Sequence, residues 1–178
     1  MNTQRPTPST CPAPATAYEH VGIRVSDPER ARRFYERLGF HEEIRFDDYA
    51  NEMATPAGVR INLIFNGTGR ADARNVLQDE PMKWPGLTHV AFVVDDLDTL
   101  VNWLNEAGIA ITEGPGPIGP RRVGLFIRDP DGNVLSLGAE GGWEFGSGSV
   151  RHGPIVGVLA QRVDIDGFAE DQATLSTS

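Results

Sequence analysis

A stretch of this chain is written twice. Tyr18 to Phe40, YEHVGIRVSDPERARRFYERLGF, returns as Thr88 to Ile109, THVAFVVDDLDTLVNWLNEAGI, at an offset of 69 residues, which pairs His20 with His89, Asp27 with Asp96 and Gly39 with Gly108. A repeated supersecondary unit constrains the fold more than local propensity does, because each copy must bury its apolar face against another element. Both copies open on a strand-like apolar run and lead into an amphipathic segment that a glycine closes. Further on, Thr55 to Leu63, TPAGVRINL, overlays Asp129 to Leu137, DPDGNVLSL, at an offset of 74. Proline sets φ and glycine supplies a positive φ in each, so both read as a tight turn followed by a strand. Each copy therefore reads strand, helix and three strands, the last two forming a hairpin.

Local signals agree with this reading. Ser26-Asp27-Pro28-Glu29 is a helix start, with Ser26 the expected N-cap and Glu29 placed to reach back. Ala31, Phe34, Tyr35 and Leu38 form one apolar stripe at i, i+3, i+4 and i+7, and Leu100, Trp103, Leu104 and Ala107 repeat it. The prolines and small polar residues of 1–17 predict a disordered tail. The first module is expected over 18–67, a linker over 68–85, the second module over 86–140 and a partly disordered extension over 141–178. Within the linker Met82 and Trp84 are the expected anchors. Gly114 to Pro120, GPGPIGP, reads as a loop, and Ile155 to Leu159 as an added strand.

Composition narrows the classes of partner. The 178 residues carry a net charge of -9, which disfavours nucleic acid. No apolar run approaches the ~18 residues of a membrane span, and the N-terminus has neither the basic stretch nor the apolar core of a secretory signal, so a cytoplasmic location is expected. The single cysteine excludes an intrachain disulfide framework.

The doubled pattern of HVxxxV, a helix, LGF or AGI, and P-x-G before a strand resembles the vicinal oxygen chelate superfamily. That group includes glyoxalase I, methylmalonyl-CoA epimerase, the fosfomycin-resistance proteins, the type I extradiol dioxygenases and the bleomycin-resistance proteins. The resemblance spans Tyr18 to Glu140 and implies an α+β fold: tandem βαβββ modules forming a curved, cup-shaped mixed sheet with the helices outside. It implies a homodimer acting on, or binding, a small molecule. It also implies a divalent metal, Fe(II), Mn, Ni or Zn, held by residues of the first and fourth strands of each module. Those positions here are His20, Asn62, His89 and Ser136. Asn62 stands where relatives carry Glu or Gln, and Ser136 where metal-dependent relatives carry Glu. Two imidazoles, an amide and a hydroxyl offer no negative charge to a divalent cation, and an iron oxygenase wants two His and a carboxylate.

Strand alternation sets which neighbours share the cup. Gly22 and Arg24 follow His20, while Val134 and Gly138 flank Ser136. The resemblance adds Arg122, Gly124 and Phe126 on the preceding strand, and the 74-residue offset maps these onto Asp48, Ala50 and Glu52. Glu52 is then the candidate carboxylate, as a substitute ligand or a general base. A strand histidine is ordinarily a hydrogen-bonded core residue, but two related by a repeat point to a shared role. Arg24 is read either as a substrate contact or as a salt-bridge partner of Asp48 or Glu52. Arg122 is read as a solvent-facing residue of the cup rim or a substrate contact, and Phe126 as plain packing or a stacking wall for the substrate. Two functional readings follow: a metal-assisted lyase or isomerase, with a dioxygenase if Glu52 completes an iron face, and a metal-free protein that sequesters a small molecule.

Overall fold

In the computed structural model, residues 15–118 and 122–140 are described, all within the unit Met1–Trp143. The predicted tail up to residue 14, the extension 141–178 and the strand expected at Ile155 to Leu159 lie outside them. The first module comprises β1 (Val21–Arg24), α1 (Pro28–Arg37), β2 (His41–Phe46), β3 (Ala50–Ala54) and β4 (Arg60–Ile64). The second comprises β5 (Val90–Val93), α2 (Leu97–Glu106), β6 (Ile111–Pro117), β7 (Arg122–Arg128) and β8 (Val134–Glu140). The strands hydrogen bond as two four-stranded mixed sheets, ordered β1-β4-β3-β2 and β5-β8-β7-β6. This is the tandem βαβββ architecture that the repeat predicts.

The repeat holds at the level of register. In the first sheet Gly22, Asn62, Glu52 and Ile44 stand side by side across four strands. In the second the row is Ala91, Ser136, Phe126 and Glu113. Each pair of equivalents is separated by one of the two sequence offsets. Strand alternation sends these residues to one face and Ile23, Ile61, Leu63, Met53, Leu125, Ile127, Leu135 and Leu137 to the other, where all are buried.

The helices cover that buried face. Ala31 and Tyr35 of α1 and Leu104 of α2 are fully enclosed, with Phe34, Leu38, Leu100 and Trp103 packed around them. Each buried aliphatic or aromatic side chain contributes about 1.5–3 kcal/mol. The N-cap of α1 is Asp27 rather than Ser26: the Asp27 carboxylate accepts from the Arg30 N–H at 3.0 Å, and Asp96 does the same for α2 with Thr99 at 2.9 Å. Pro28 then takes the first helical position, where no N–H is needed. Ser26 is spent elsewhere. Its N–H donates to Asp131 at 3.0 Å and its hydroxyl bonds the same carboxylate, tying the start of α1 to the β7–β8 turn.

One core serves both modules. Tyr35 donates its hydroxyl to the buried Asp129 at 3.1 Å, Arg30 reaches Asp131 at 3.1 Å, and Arg37 donates to the Ala107 carbonyl at 2.7 Å. Phe40 and Phe92 meet edge to face at 5.5 Å. The helix-bearing sides of the two modules are thus joined, and the opposite sheet faces are left open.

Two further expectations are corrected. The GPGPIGP stretch enters β6 as far as Pro117, pairing Gly116 with Gly124 and Pro117 with Val123 across two register shifts. β6 is an edge strand, so the missing N–H groups of its prolines break no ladder on the outer side. Met82 and Trp84 do not anchor the linker, being 62% and 61% exposed. Polar contacts do so instead: Asp79 takes two bonds from Arg128, at 2.7 and 3.0 Å, and Asn75 donates to the Gly132 carbonyl at 3.2 Å.

Candidate functional site

The open face of the first sheet presents Gly22, Arg24, Arg60, Asn62, Ile64, Glu52, Ile44 and Phe46. Glu52 is buried, and its carboxylate is bound by the guanidinium of Arg60, which also holds Glu43 at 2.7 Å. The Glu43 and Glu52 carboxylates together raise the Arg60 pKa above its ordinary value. Glu52 is therefore a closed ion pair and not an unattached base. Arg60 escaped the sequence reading although it lies two residues before Asn62 on β4, the spacing that shares a face. Arg24 pairs with neither Asp48 nor Glu52 among the described contacts; its Nε donates to the Asn66 side chain at 2.8 Å.

Asn62 is the unsatisfied group of this face. Its Oδ1 is closed off from solvent and accepts no hydrogen bond among the described residues. A buried acceptor without a partner costs about 1–3 kcal/mol. Beside it on β1 stands Gly22, where an added Cβ would meet only the Ile64 Cγ1, at 3.9 Å. The surface over Gly22 is an open notch bordered by a carboxamide. Farther out on β2, Ile44 and Phe46 are large apolar side chains in the open.

The second face is more apolar. Ser136 is buried in the row between Ala91 and Phe126. Phe126 is buried under the His89 ring, whose centroid lies 5.6 Å away in an edge arrangement. His89 Nδ1 shares a 3.0 Å hydrogen bond with the Thr88 hydroxyl, and His20 Nδ1 is hydrogen bonded to the Glu19 carboxylate. Both histidines are exposed. Arg122, the other expected substrate contact, is exposed at the end of β7. His89 also lines a hollow of about 430 Å³ with Tyr18, Val59, Leu87, Ala91 and Val93; His20 does not.

The sequence-derived positions thus fall into two sets. Asn62 and Glu52 adjoin in one row, with Arg24 and Arg60 on the same face. Ser136 and Phe126 adjoin in another, with His89 against Phe126. Among the described residues no three of His, Cys, Asp and Glu gather in a group able to hold a metal ion. The donors within one chain do not fit a divalent cation: of the two carboxylates in these rows, Glu52 is engaged by Arg60 and Glu113 stands at the outer end of the second row on the edge strand β6, while Asn62 and Ser136 are neutral.

Outside these faces, two buried or half-buried carboxylates are tuned by their surroundings. Burial raises the Asp129 pKa despite N–H donors from Asn133 and Asp131, and burial together with the Asp129 charge pushes the Tyr35 hydroxyl well above its ordinary value. For Asp79, burial opposes ionisation, but the Asn75 N–H and the Arg128 guanidinium outweigh it and hold the carboxyl below its ordinary 3.8.

Comparison with known proteins extends this picture. A family model described as Glyoxalase/Bleomycin resistance protein/Dioxygenase superfamily matches residues 17–137. A probable chloroplastic lactoylglutathione lyase of Arabidopsis thaliana is 30% identical over 126 residues, 66% of this chain; the match spans only 34% of that protein's length. A probable lactoylglutathione lyase of Synechocystis sp. is 27% identical over 127 residues, covering 66% of this chain and 91% of that one. Among solved structures, a glyoxalase/dioxygenase from Nostoc punctiforme superposes with a TM-score of 0.60 at 23% identity, over 75% of this chain and 97% of its own. A glyoxylase/bleomycin resistance protein/dioxygenase domain from Frankia sp. gives 0.56 at 27% identity, over 71% and 93%.

Proposed function

We propose a function from one premise: the chain belongs to the Glyoxalase/Bleomycin resistance protein/Dioxygenase superfamily. It binds a small organic molecule against its open sheet faces and holds it through neutral groups, Asn62 and Ser136, and apolar walls that include Phe126. The observation that carries this reading is the Glu52–Arg60 pair. Among the described residues it engages the only acidic side chain paired beside Asn62, while Ser136 stands at the position that would need a carboxylate to charge-balance an ion. A second copy of the chain would close the pocket by covering the exposed apolar groups around Val93 and Leu87, and the protein is expected to work as a homodimer.

The test is the metal content of protein purified without added metal, followed by calorimetric titration with Fe(II), Mn(II), Ni(II) and Zn(II). Wild type is expected to take up no ion stoichiometrically at micromolar concentration. Stoichiometric metal that is lost in His20→Ala would sink the reading.

That outcome would favour a metal-assisted lyase or isomerase, a second reading motivated by His20 and His89, which occupy equivalent places in the two modules. On the second reading Ser136→Glu tightens Ni(II) or Zn(II) by one to two orders of magnitude, about 1.4–2.8 kcal/mol. It also predicts turnover of lactoylglutathione, the compound in its relatives' names, lowered in His20→Ala and His89→Ala. The binding reading expects neither.

A further inference from the structure

We propose that the ligand read by the first sheet face has an apolar, preferably aromatic, body and presents one uncharged hydrogen-bonding group to Asn62, with part of the body seated in the notch over Gly22; this rests on the metal-free binding reading above. Three observations converge on it. The carboxamide of Asn62 has a sealed oxygen with no partner among the described residues, and none of its atoms is engaged in a described hydrogen bond. A half-turn about its terminal bond brings that oxygen to the Nδ2 side, so the amide can meet a hydroxyl or amide of either polarity. The adjacent Gly22 leaves open space with nothing nearer than Ile64 to a Cβ placed there. Its backbone has no left-handed φ that would require glycine, so this opening can be filled by substitution.

Charge on the face argues for a neutral contact at this point. Glu52, across the strand from Asn62, is bound by Arg60, which Glu43 shares, so this group leaves no positive charge for an anion, and no other ionisable side chain shares the Gly22–Asn62–Glu52–Ile44 row. The same row ends in Ile44, 46% exposed, and the next row in Phe46, 43% exposed, paired with the buried Ala50. A flat apolar body seated over Gly22 covers the β1–β4 end of the row, and Ile44 and Phe46, three strand spacings or about 14 Å away, keep the face apolar beyond it. The competing attraction is Arg24, one row away, whose guanidinium is bonded through Nε to Asn66 and would favour a carboxylate instead.

The probes that separate these are 2-naphthol, neutral with a single hydroxyl, and 2-naphthoate, its anionic counterpart, titrated by fluorescence into the full chain. Saturable 2-naphthol binding is expected, tighter than 2-naphthoate. Asn62→Leu and Gly22→Val should each weaken 2-naphthol at least tenfold while leaving far-UV circular dichroism unchanged. Gly22→Ala, whose Cβ meets only an ordinary contact, gives a smaller loss and guards against a folding defect in the valine variant. The inference is overturned by absence of saturable 2-naphthol binding, by equal binding to wild type and both variants, or by a preference for 2-naphthoate that Arg24→Met abolishes. Any of these in a protein that also takes up no metal removes this inference alone. Stoichiometric metal uptake lost in His20→Ala removes the binding reading itself, whatever the naphthol titration gives.

Discussion

The residues with the most legible chemistry in this chain are its carboxylates, because partners rather than types set their roles. Glu52 has the type of a general base, yet a guanidinium two residues from Asn62 on the neighbouring strand takes its charge. Asp129, enclosed beside Tyr35, ionises less readily than usual, whereas Asp79 ionises more readily. The sign of the Asp79 effect makes it testable. A carboxyl whose folded pKa lies below its unfolded value contributes stability above the unfolded pKa and loses it as pH falls through the folded one. Asp79→Asn is therefore expected to lower stability by a constant amount above pH 4. The difference from wild type should shrink as pH falls below its ordinary 3.8. Urea denaturation of both proteins between pH 2.5 and 7 follows it directly, and a gap that stays constant into acid would contradict the stabilisation of the carboxylate by the Asn75 N–H and Arg128.

At the scale of elements, the β7–β8 turn is where the two modules and the linker meet. From one side Ser26, Arg30 and Tyr35 bind Asp131 and Asp129; from the other, Asn75 binds the Gly132 carbonyl. Gly132 has a φ of 81°, and a Cβ there would lie 2.0 Å from the Ala73 carbonyl oxygen. Both strain and clash oppose any side chain. Gly132→Ala should cost at least about 1–2 kcal/mol from the left-handed backbone alone, and it should lift the linker. Limited proteolysis is expected to cut faster around Arg70 and Arg74 in this variant than in wild type. Unchanged cleavage would mean that the linker is not held by the turn. The equivalent turn of the first module, at Gly58 with a φ of 82°, has open space around its Cβ position. The repeat preserves the turn but not its load.

For the whole molecule, the open surface matters as much as the core. Tyr18, Leu87 and Val93 are 76%, 71% and 68% exposed and line or border one apolar hollow. A second copy covering this surface is the expected arrangement, so wild type should sediment as a dimer at micromolar concentration and Val93→Glu as a monomer. Identical sedimentation of the two would place any interface elsewhere. The architecture itself was legible before any coordinates: two offsets of 69 and 74 residues align every strand and helix of one module with its counterpart. Periodicity and turn chemistry are local properties, and they suffice for element type; the positions of Asn62, Ser136 and Phe126 came from the resemblance of the doubled pattern to the family. What Glu52, Ser26 and the Gly-Pro run would do was not legible. Each depends on a partner brought near by tertiary packing: Arg60 across a hairpin, Asp131 more than a hundred residues away, and β7 alongside β6. The sequence determined which strand positions share a face; only the tertiary structure decided which groups there keep an unspent charge or hydrogen bond, because that depends on distance in space and not along the chain.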